Sequence, residues 1–213
     1  MEKEINNNGH EYVDLGLPSG TLWAAMNVGT SKPSDYGLYF QWGDTVGYTA
    51  EQVGKGEGKK KFASDWSDYK FGVNPNFTKY TTSRITLELQ DDAAHVNMGG
   101  DWHMPSPEQI QELLNNTTSC WATLDDVNGR FFASKKDASK SIFIPVAGAA
   151  WDGLAHGSGE AGDIWSSMLD VNIGGGQCFY FSSGNALWSA SARSFGLSVR
   201  GVIDGNAMKD NTI

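Results

Sequence analysis

Cysteine is scarce in this chain, with only Cys120 and Cys178 among 213 residues. That excludes a disulfide-dense scaffold. Neither residue belongs to a CxxC pair or to a Cys/His cluster, so no tetrahedral metal site is expected. The two are enough for one disulfide, but sequence does not set the distance between their Cα atoms, and two free thiols is the plainer reading. Basic charge is also short: 16 Lys and Arg stand against 25 Asp and Glu, a net charge of −9. Phosphate backbones need a basic stripe, so a nucleic-acid partner is not expected. The one basic cluster, Lys59-Lys60-Lys61, reads as a solvated loop. No run of eighteen apolar residues exists, so no membrane-spanning helix is expected. The start, Met1-Glu2-Lys3-Glu4-Ile5-Asn6, lacks the apolar run of a secretory signal. Either the protein does not leave by that route or a leader has been removed.

Catalytic motifs are missing too. Gly54-Lys55-Gly56-Glu57-Gly58-Lys59 has the wrong glycine spacing for a phosphate loop and no following Ser or Thr. It reads as a flexible loop. His10, His95, His103 and His156 stand alone, without an i, i+4 partner or a nearby cysteine. Asp91-Asp92 and Asp125-Asp126 are adjacent carboxylates. Neighbours point apart on a strand or a helix, so capping or loop hydrogen bonding explains them better than shared acid/base work. A calcium site on some of these oxygens stays open, though no EF-hand-like loop is present. No G-x-S-x-G elbow occurs. The expectation is therefore a protein that is not an enzyme, with no catalytic residue, no metal and no cofactor.

What the chain does have is aromatic rings and glycine: 8 Trp, 10 Phe, 7 Tyr and 26 Gly. The rings supply a core, and the glycines imply many turns. Short strands are expected over Tyr12-Val13-Asp14-Leu15-Gly16-Leu17, Thr21-Leu22-Trp23-Ala24-Ala25-Met26, Leu38-Tyr39-Phe40-Gln41-Trp42 and Ser141-Ile142-Phe143-Ile144-Pro145. Residues 106–115 predict a helix: Ser106 as N-cap, Pro107 in the first position, and Ile110, Leu113 and Leu114 on one face. Residues 45–80 have no period and read as a long insertion, functional or mobile. A flexible lead over 1–11, one domain over 12–204 and a tail over 205–213 complete the division.

The segment 170–195 is unusual. Small residues dominate, and Tyr180, Leu187 and Trp188 stand out as isolated large ones. In Cys178-Phe179-Tyr180-Phe181, the two Phe fall on one strand face, with Cys178 and Tyr180 on the other. Composition leaves two readings open. One is a set of Gly/Ser-rich turns. The other is a recognition surface, for which Tyr, Trp, Ser, Gly and Asn are favoured.

Several stretches carry a resemblance. They are Tyr12-Val13-Asp14-Leu15-Gly16-Leu17-Pro18-Ser19-Gly20-Thr21-Leu22-Trp23-Ala24, Tyr39-Phe40-Gln41-Trp42-Gly43-Asp44, Asp91-Asp92-Ala93-Ala94, and Gly99-Gly100-Asp101-Trp102-His103-Met104-Pro105-Ser106. Ile142-Phe143-Ile144-Pro145-Val146-Ala147-Gly148, Trp165-Ser166-Ser167, Phe181-Ser182-Ser183-Gly184 and Ser198-Val199-Arg200-Gly201-Val202 follow. In this order, from residue 12 to 203, the chain resembles the domain family named for its major paralogues in Fibrobacter, common in gut Bacteroidetes and their phages. It is similar, more narrowly, to the variable proteins of diversity-generating retroelements. The resemblance implies an α+β, C-type lectin fold of the formylglycine-generating-enzyme-like kind, with two helices, small antiparallel sheets and many loops. It also implies a variable region over 163–203, framed by fixed Trp165, Phe179, Phe181, Gly184 and Arg200.

The function so implied is binding of a ligand or receptor, on a phage tail tip or a cell surface. The partner would be a protein or glycan receptor on a bacterial surface, and an oligomer is compatible with this. The candidate ligand-binding residues are Asp163, Asn172, Ile173, Gly175, Gln177, Cys178, Tyr180, Leu187, Trp188, Ala190, Ser191 and Ser194, with Tyr180, Leu187 and Trp188 as anchors. The calcium-binding tripeptide of sugar-binding lectins is absent, so calcium-dependent sugar binding is not implied. Cys120 and Cys178 do not match the closely spaced cysteine pair of the oxidase relatives, so that activity is not carried over. Two alternatives remain: a structural or adhesive surface domain without a diversified site, and an oxidase-like enzyme.

Overall fold

A computed structural model describes residues 4–5 and 8–205. Along the chain come β1 (Glu4–Ile5), β2 (Glu11–Val13), β3 (Leu22–Asn27), β4 (Tyr39–Phe40), β5 (Gly72–Val73) and β6 (Asn76–Phe77), then α1 (Ala93–Met98) and α2 (Pro107–Asn116). The second half is all strand: β7 (Thr117–Leu124), β8 (Val127–Ser134), β9 (Ser141–Pro145), β10 (Ala149–Trp151), β11 (Leu154–His156), β12 (Ala161–Asp170), β13 (Gly175–Ser182), β14 (Ala186–Ser191), β15 (Leu197–Ser198) and β16 (Arg200–Ile203). The class is α+β, with two α-helices among small sheets and loops.

Sheet order follows the pairing. One sheet runs β1-β2-β3-β16, so the end of the domain lies beside its beginning. The largest runs β14-β13-β12-β15-β4, and a third runs β7-β8-β9. The lead over 1–11 is partly drawn into the first sheet, because Glu4 and Ile5 pair with Tyr12 and Glu11. Residues 1–3 and 6–7, and the tail beyond Gly205, lie outside the described residues.

The α2 helix forms for the reason its sequence suggests. Ser106 Oγ accepts from the Gln109 amide at 3.3 Å, and Gln109 Oε1 accepts from the Ser106 amide at 2.9 Å. This reciprocal box satisfies two donors that the first turn leaves orphaned. Ile110 and Leu113 are buried on its inner face. Asp92 caps α1, accepting from the His95 amide at 2.9 Å, and also receives the Met104 amide at 2.8 Å. The other acidic pair turns the β7–β8 hairpin: Asp125 and Asp126 sit at φ of 49° and 64° between the paired Leu124 and Val127. Both positive angles suit a two-residue loop that matches strand twist.

Two expectations need correcting. The insertion over 45–80 has little regular structure but packs into the core of the domain: Tyr69, Phe71 and Tyr80 join the cluster of Trp42 and Trp165, and Phe62 joins that of Tyr39 and Ala150. Phe62, Ala63, Tyr69, Phe71 and Tyr80 are buried. Trp66 meets Tyr69 and Phe77 edge-on, at 5.5 and 5.2 Å between ring centroids. Asp68 receives the amides of Phe62 and Ala63. Lys60 is not solvated either. Its ammonium bonds Gln41 Oε1 at 3.0 Å and lies 3.3 Å from Asp68, with the side chain 12 % exposed. Aromatic residues without period gave no sign of this packing, because side chains on irregular backbone need not repeat.

Candidate ligand-binding surface

Three antiparallel strands carry the terminal segment. Register puts Asp163 opposite Tyr180, and Tyr180 opposite Leu187, so the three side chains form one row across β12, β13 and β14. The adjoining row on that face is Trp165, Cys178 and Ser189. The opposite face carries Ile164, Phe179 and Trp188 in one row, and Gly162, Phe181 and Ala186 in the next.

The two faces differ in cover. Ile164, Phe179 and Phe181 are buried in a cluster with Ile110 and Leu113 of α2, Phe132 of β8, and Ile142 and Ile144 of β9. Gly162 makes room for Phe181: a Cβ there would fall 2.4 Å from the end of its ring. On the other face, Trp165 and Cys178 are sealed in a cluster with Trp42, whose indole N–H donates to Ser166 O at 2.9 Å. Gly176 again makes room, since a Cβ would meet Trp42 at 2.6 Å. Beyond that cover the face opens. Leu187 is 43 % exposed, and Asp163 and Tyr180 are half-buried.

The expected anchors therefore do not share a face. Tyr180 and Leu187 do. Trp188 turns the other way, packs half-buried on the α2 cluster, and donates its indole N–H to Gln111 Oε1 at 3.1 Å. Three other candidates are buried rather than outward. Cys178 lies in the sealed row. Gly175 has no space for a side chain, because a Cβ would meet Ser191 O at 2.6 Å. Ser194 is fully buried where its carbonyl receives Gln41 Nε2 at 2.8 Å. Gln177, Ala190 and Ser191 are half-buried. Among the expected framework residues, Trp165, Phe179, Phe181 and Arg200 are buried. Gly184 is exposed in the β13–β14 turn and a Cβ there would touch nothing.

Asn172 and Ile173 fall at a different place, the β12–β13 turn. This turn faces the β5–β6 hairpin of the insertion across a cleft of about 400 Å³. Pro75 and Phe77 form the insertion side, and Arg193 lines the floor. Val171 and Ile173 rise on the rim, 46 % and 59 % exposed. Sequence reasoning named the insertion and the segment separately. It gave no reason to bring them together, and it did not single out Arg193 as a site residue.

Electrostatics mark one residue of the open row. Burial raises the Asp163 carboxyl to about 6, opposed only by the Cys178 thiol, which donates to it at 3.7 Å. Cys178 is itself pushed up, by burial first and by the Asp163 charge second, so it is no reactive thiolate. Both cysteines are free, Cys120 exposed and Cys178 buried. The four histidines are half-buried, and His156 stacks on Trp151 at 3.7 Å. Among the described residues no three His, Cys, Asp or Glu side chains gather as a metal site. No helix among them is long and apolar enough to cross a membrane. No protein-family model, curated protein or solved structure matches the chain.

Proposed function

We propose that this chain is a ligand- or receptor-binding module that displays the outward chemistry of residues 163–203 on a C-type-lectin-like scaffold. Its place would be a phage virion or a cell surface, and its partner a protein or glycan receptor on a bacterium. The carrying observation is the alternation along β12, β13 and β14. Ile164, Phe179 and Phe181 are buried, whereas Tyr180 and Leu187 reach outward from the same strands. A sheet arranged this way holds its backbone with one set of residues and leaves the other free to change. The pairing of β16 with β3 and the two helices among small sheets support the lectin-like scaffold. Tyr180 supplies a rigid amphipathic ring, the kind of side chain that carries much interface energy, and Leu187 extends its apolar area.

The test is binding of labelled protein to bacterial cells and to arrays of surface glycans and proteins. Replacing Tyr180 and Leu187 together by Ala should remove the signal and preserve a cooperative melt. Binding that survives this change and also substitution of Asn172 and Ile173 removes the reading and favours a structural, adhesive domain. Diversification has its own check in the neighbouring DNA. A near-copy of the 3′ coding segment, differing where the template has adenines, supports it.

A further inference from the structure

The three-stranded sheet β7-β8-β9 has β7 at its edge. This strand reads Thr117-Thr118-Ser119-Cys120-Trp121-Ala122-Thr123-Leu124. Leu124 and Val127 flank the two-residue turn and exchange both of their backbone hydrogen bonds. The ladder then alternates. Thr118, Cys120, Ala122 and Leu124 bond β8, whereas Ser119, Trp121 and Thr123 direct their N–H and C=O away from it. Both ends agree with this phase. The Thr117 amide reaches outward to Leu113 O. Asn128 O, opposite Thr123, receives the Val146 amide on the far side of β8. The outward backbone groups of Ser119, Trp121 and Thr123 meet no hydrogen-bond partner among the described residues.

Soluble proteins guard such an edge with a charge, a proline, a bulge or a covering segment. The β7 strand has no charged residue and no proline, and its register with β8 runs unbroken over all 8 residues. Thr118, Ser119, Cys120 and Thr123 are exposed. The edge is therefore open to another strand.

Charge selects that strand. The chain carries a net charge of −9, yet β7 is neutral, so two copies meet there without like charges. The hairpin is also polar from end to end. Its tip holds Asp125 and Asp126, both exposed and neither meeting a cation among the described residues. At its foot, Lys135 donates its amide to Asn116 O and its ammonium to Asn115 O, the latter at 2.6 Å. Antiparallel pairing about a two-fold axis sets the acidic tip of each hairpin beside the basic foot of the other. We propose that two copies of this chain join edge to edge through antiparallel β7 strands, with Trp121 on the axis. Only this register pairs all three outward residues: Trp121 with its own copy, and Ser119 with Thr123 of the second copy. An interface of two strand edges is small, so the dimer is weak and depends on concentration. The inference goes beyond receptor binding and does not depend on it.

Sedimentation of the whole chain over a micromolar concentration series should show a mass rising from one copy toward two. Thr123→Pro removes one outward N–H and leaves the bonds to β8 in place. It should weaken the dimer about tenfold or more and keep a cooperative melt. A crosslink checks the register. Cys120 stands directly opposite Ala122 of the second copy, and diagonal to that copy's Cys120 at about 7–8 Å, too far for a disulfide. Mild oxidation of Ala122→Cys should give a covalent dimer, in which peptide mapping finds Cys120 joined to the introduced thiol. The unaltered chain should stay unlinked. The crosslink decides if Thr123→Pro does not fold. A mass of one copy at every concentration overturns the inference and leaves the edge for a strand of a different protein. A dimer that a folded Thr123→Pro leaves unchanged, or that yields no such crosslink, overturns it as well.

Discussion

The two faces of the β12–β13–β14 sheet are built from the same strands, yet they differ in what they can tolerate. One is closed over β12 and β13 by α2, β8 and β9, with Ile164, Phe179 and Phe181 at or below 1 % exposure, and loosens only at β14, where Ala186 and Trp188 are half-buried. The other is closed only under Trp42 and then opens at the row Asp163, Tyr180 and Leu187. A strand's period of two makes this division of labour possible, because adjacent residues never compete for one environment. Changes on the open face alter chemistry and leave the backbone in place, whereas changes on the closed face are felt as cavities. Phe181→Ala gives the largest expected effect. It empties a site between Phe179 and Gly162, and should destabilise by about 3–5 kcal/mol. The midpoint of urea unfolding measures it. A loss below about 1 kcal/mol would mean that this face is not sealed.

The open face has a polar feature that makes its stability depend on pH. The Asp163 carboxyl ionises near 3.8 in the unfolded chain, and burial raises it to about 6 in the fold. Between these values the folded state holds more protons than the unfolded one. Stability is therefore intact below about pH 4, declines as pH rises through the window, and is level above about pH 6. The full difference is on the order of 3 kcal/mol. Asp163→Asn removes the ionisation, so the variant should gain on the wild type up to that amount at pH 7, and the gain should vanish toward pH 4. Urea unfolding at the two pH values checks this. A gain that does not change with pH would show that the carboxylate is well solvated, and that the face is open further down than the Trp165–Cys178 row.

Much of the frame was legible. Ser106, Pro107 and the apolar face of Ile110 and Leu113 announce α2, because capping and periodicity are local. The split of Phe179 and Phe181 from Cys178 and Tyr180 follows from alternation alone. Asp92 read correctly as cap chemistry, since it caps α1, whereas Asp91 did not: its carboxylate accepts from the ammonium of Lys70 and the hydroxyl of Tyr80, both at 2.8 Å, and pairs with Lys79. The hairpin of β7 and β8 left no mark, as its outer strand is largely exposed and mixes polar with apolar residues. Trp188 could not be oriented from sequence, because two large neighbours on a strand face opposite ways, and only the pairing of Trp188 with Phe179 says which goes in. Cys178 and Ser194 were misjudged for a related reason: which part of a face is covered depends on Trp42 and Gln41, more than 130 residues away. The cleft was hidden because it joins the insertion to a turn nearly a hundred residues later.

The smallest effect separates those two neighbours on β14. Leu187 is 43 % exposed beside Tyr180, so Leu187→Ser removes only part of a side chain's burial and should cost no more than about 1 kcal/mol. Trp188 buries one side of its indole against the α2 cluster and donates to Gln111, so Trp188→Ala should cost about 1–2 kcal/mol, more than its neighbour and less than Phe181→Ala. Receptor binding should follow the reverse order, with Leu187→Ser weakening it more than Trp188→Ala, because only Leu187 stands in the open row. Thermal melts and binding assays on the two single variants measure both rankings. If Leu187→Ser proved the more destabilising, β14 would be shifted by one residue against β13. Since a one-residue shift turns every side chain over, Trp188 would then be the outward anchor and the row with Tyr180 would not exist.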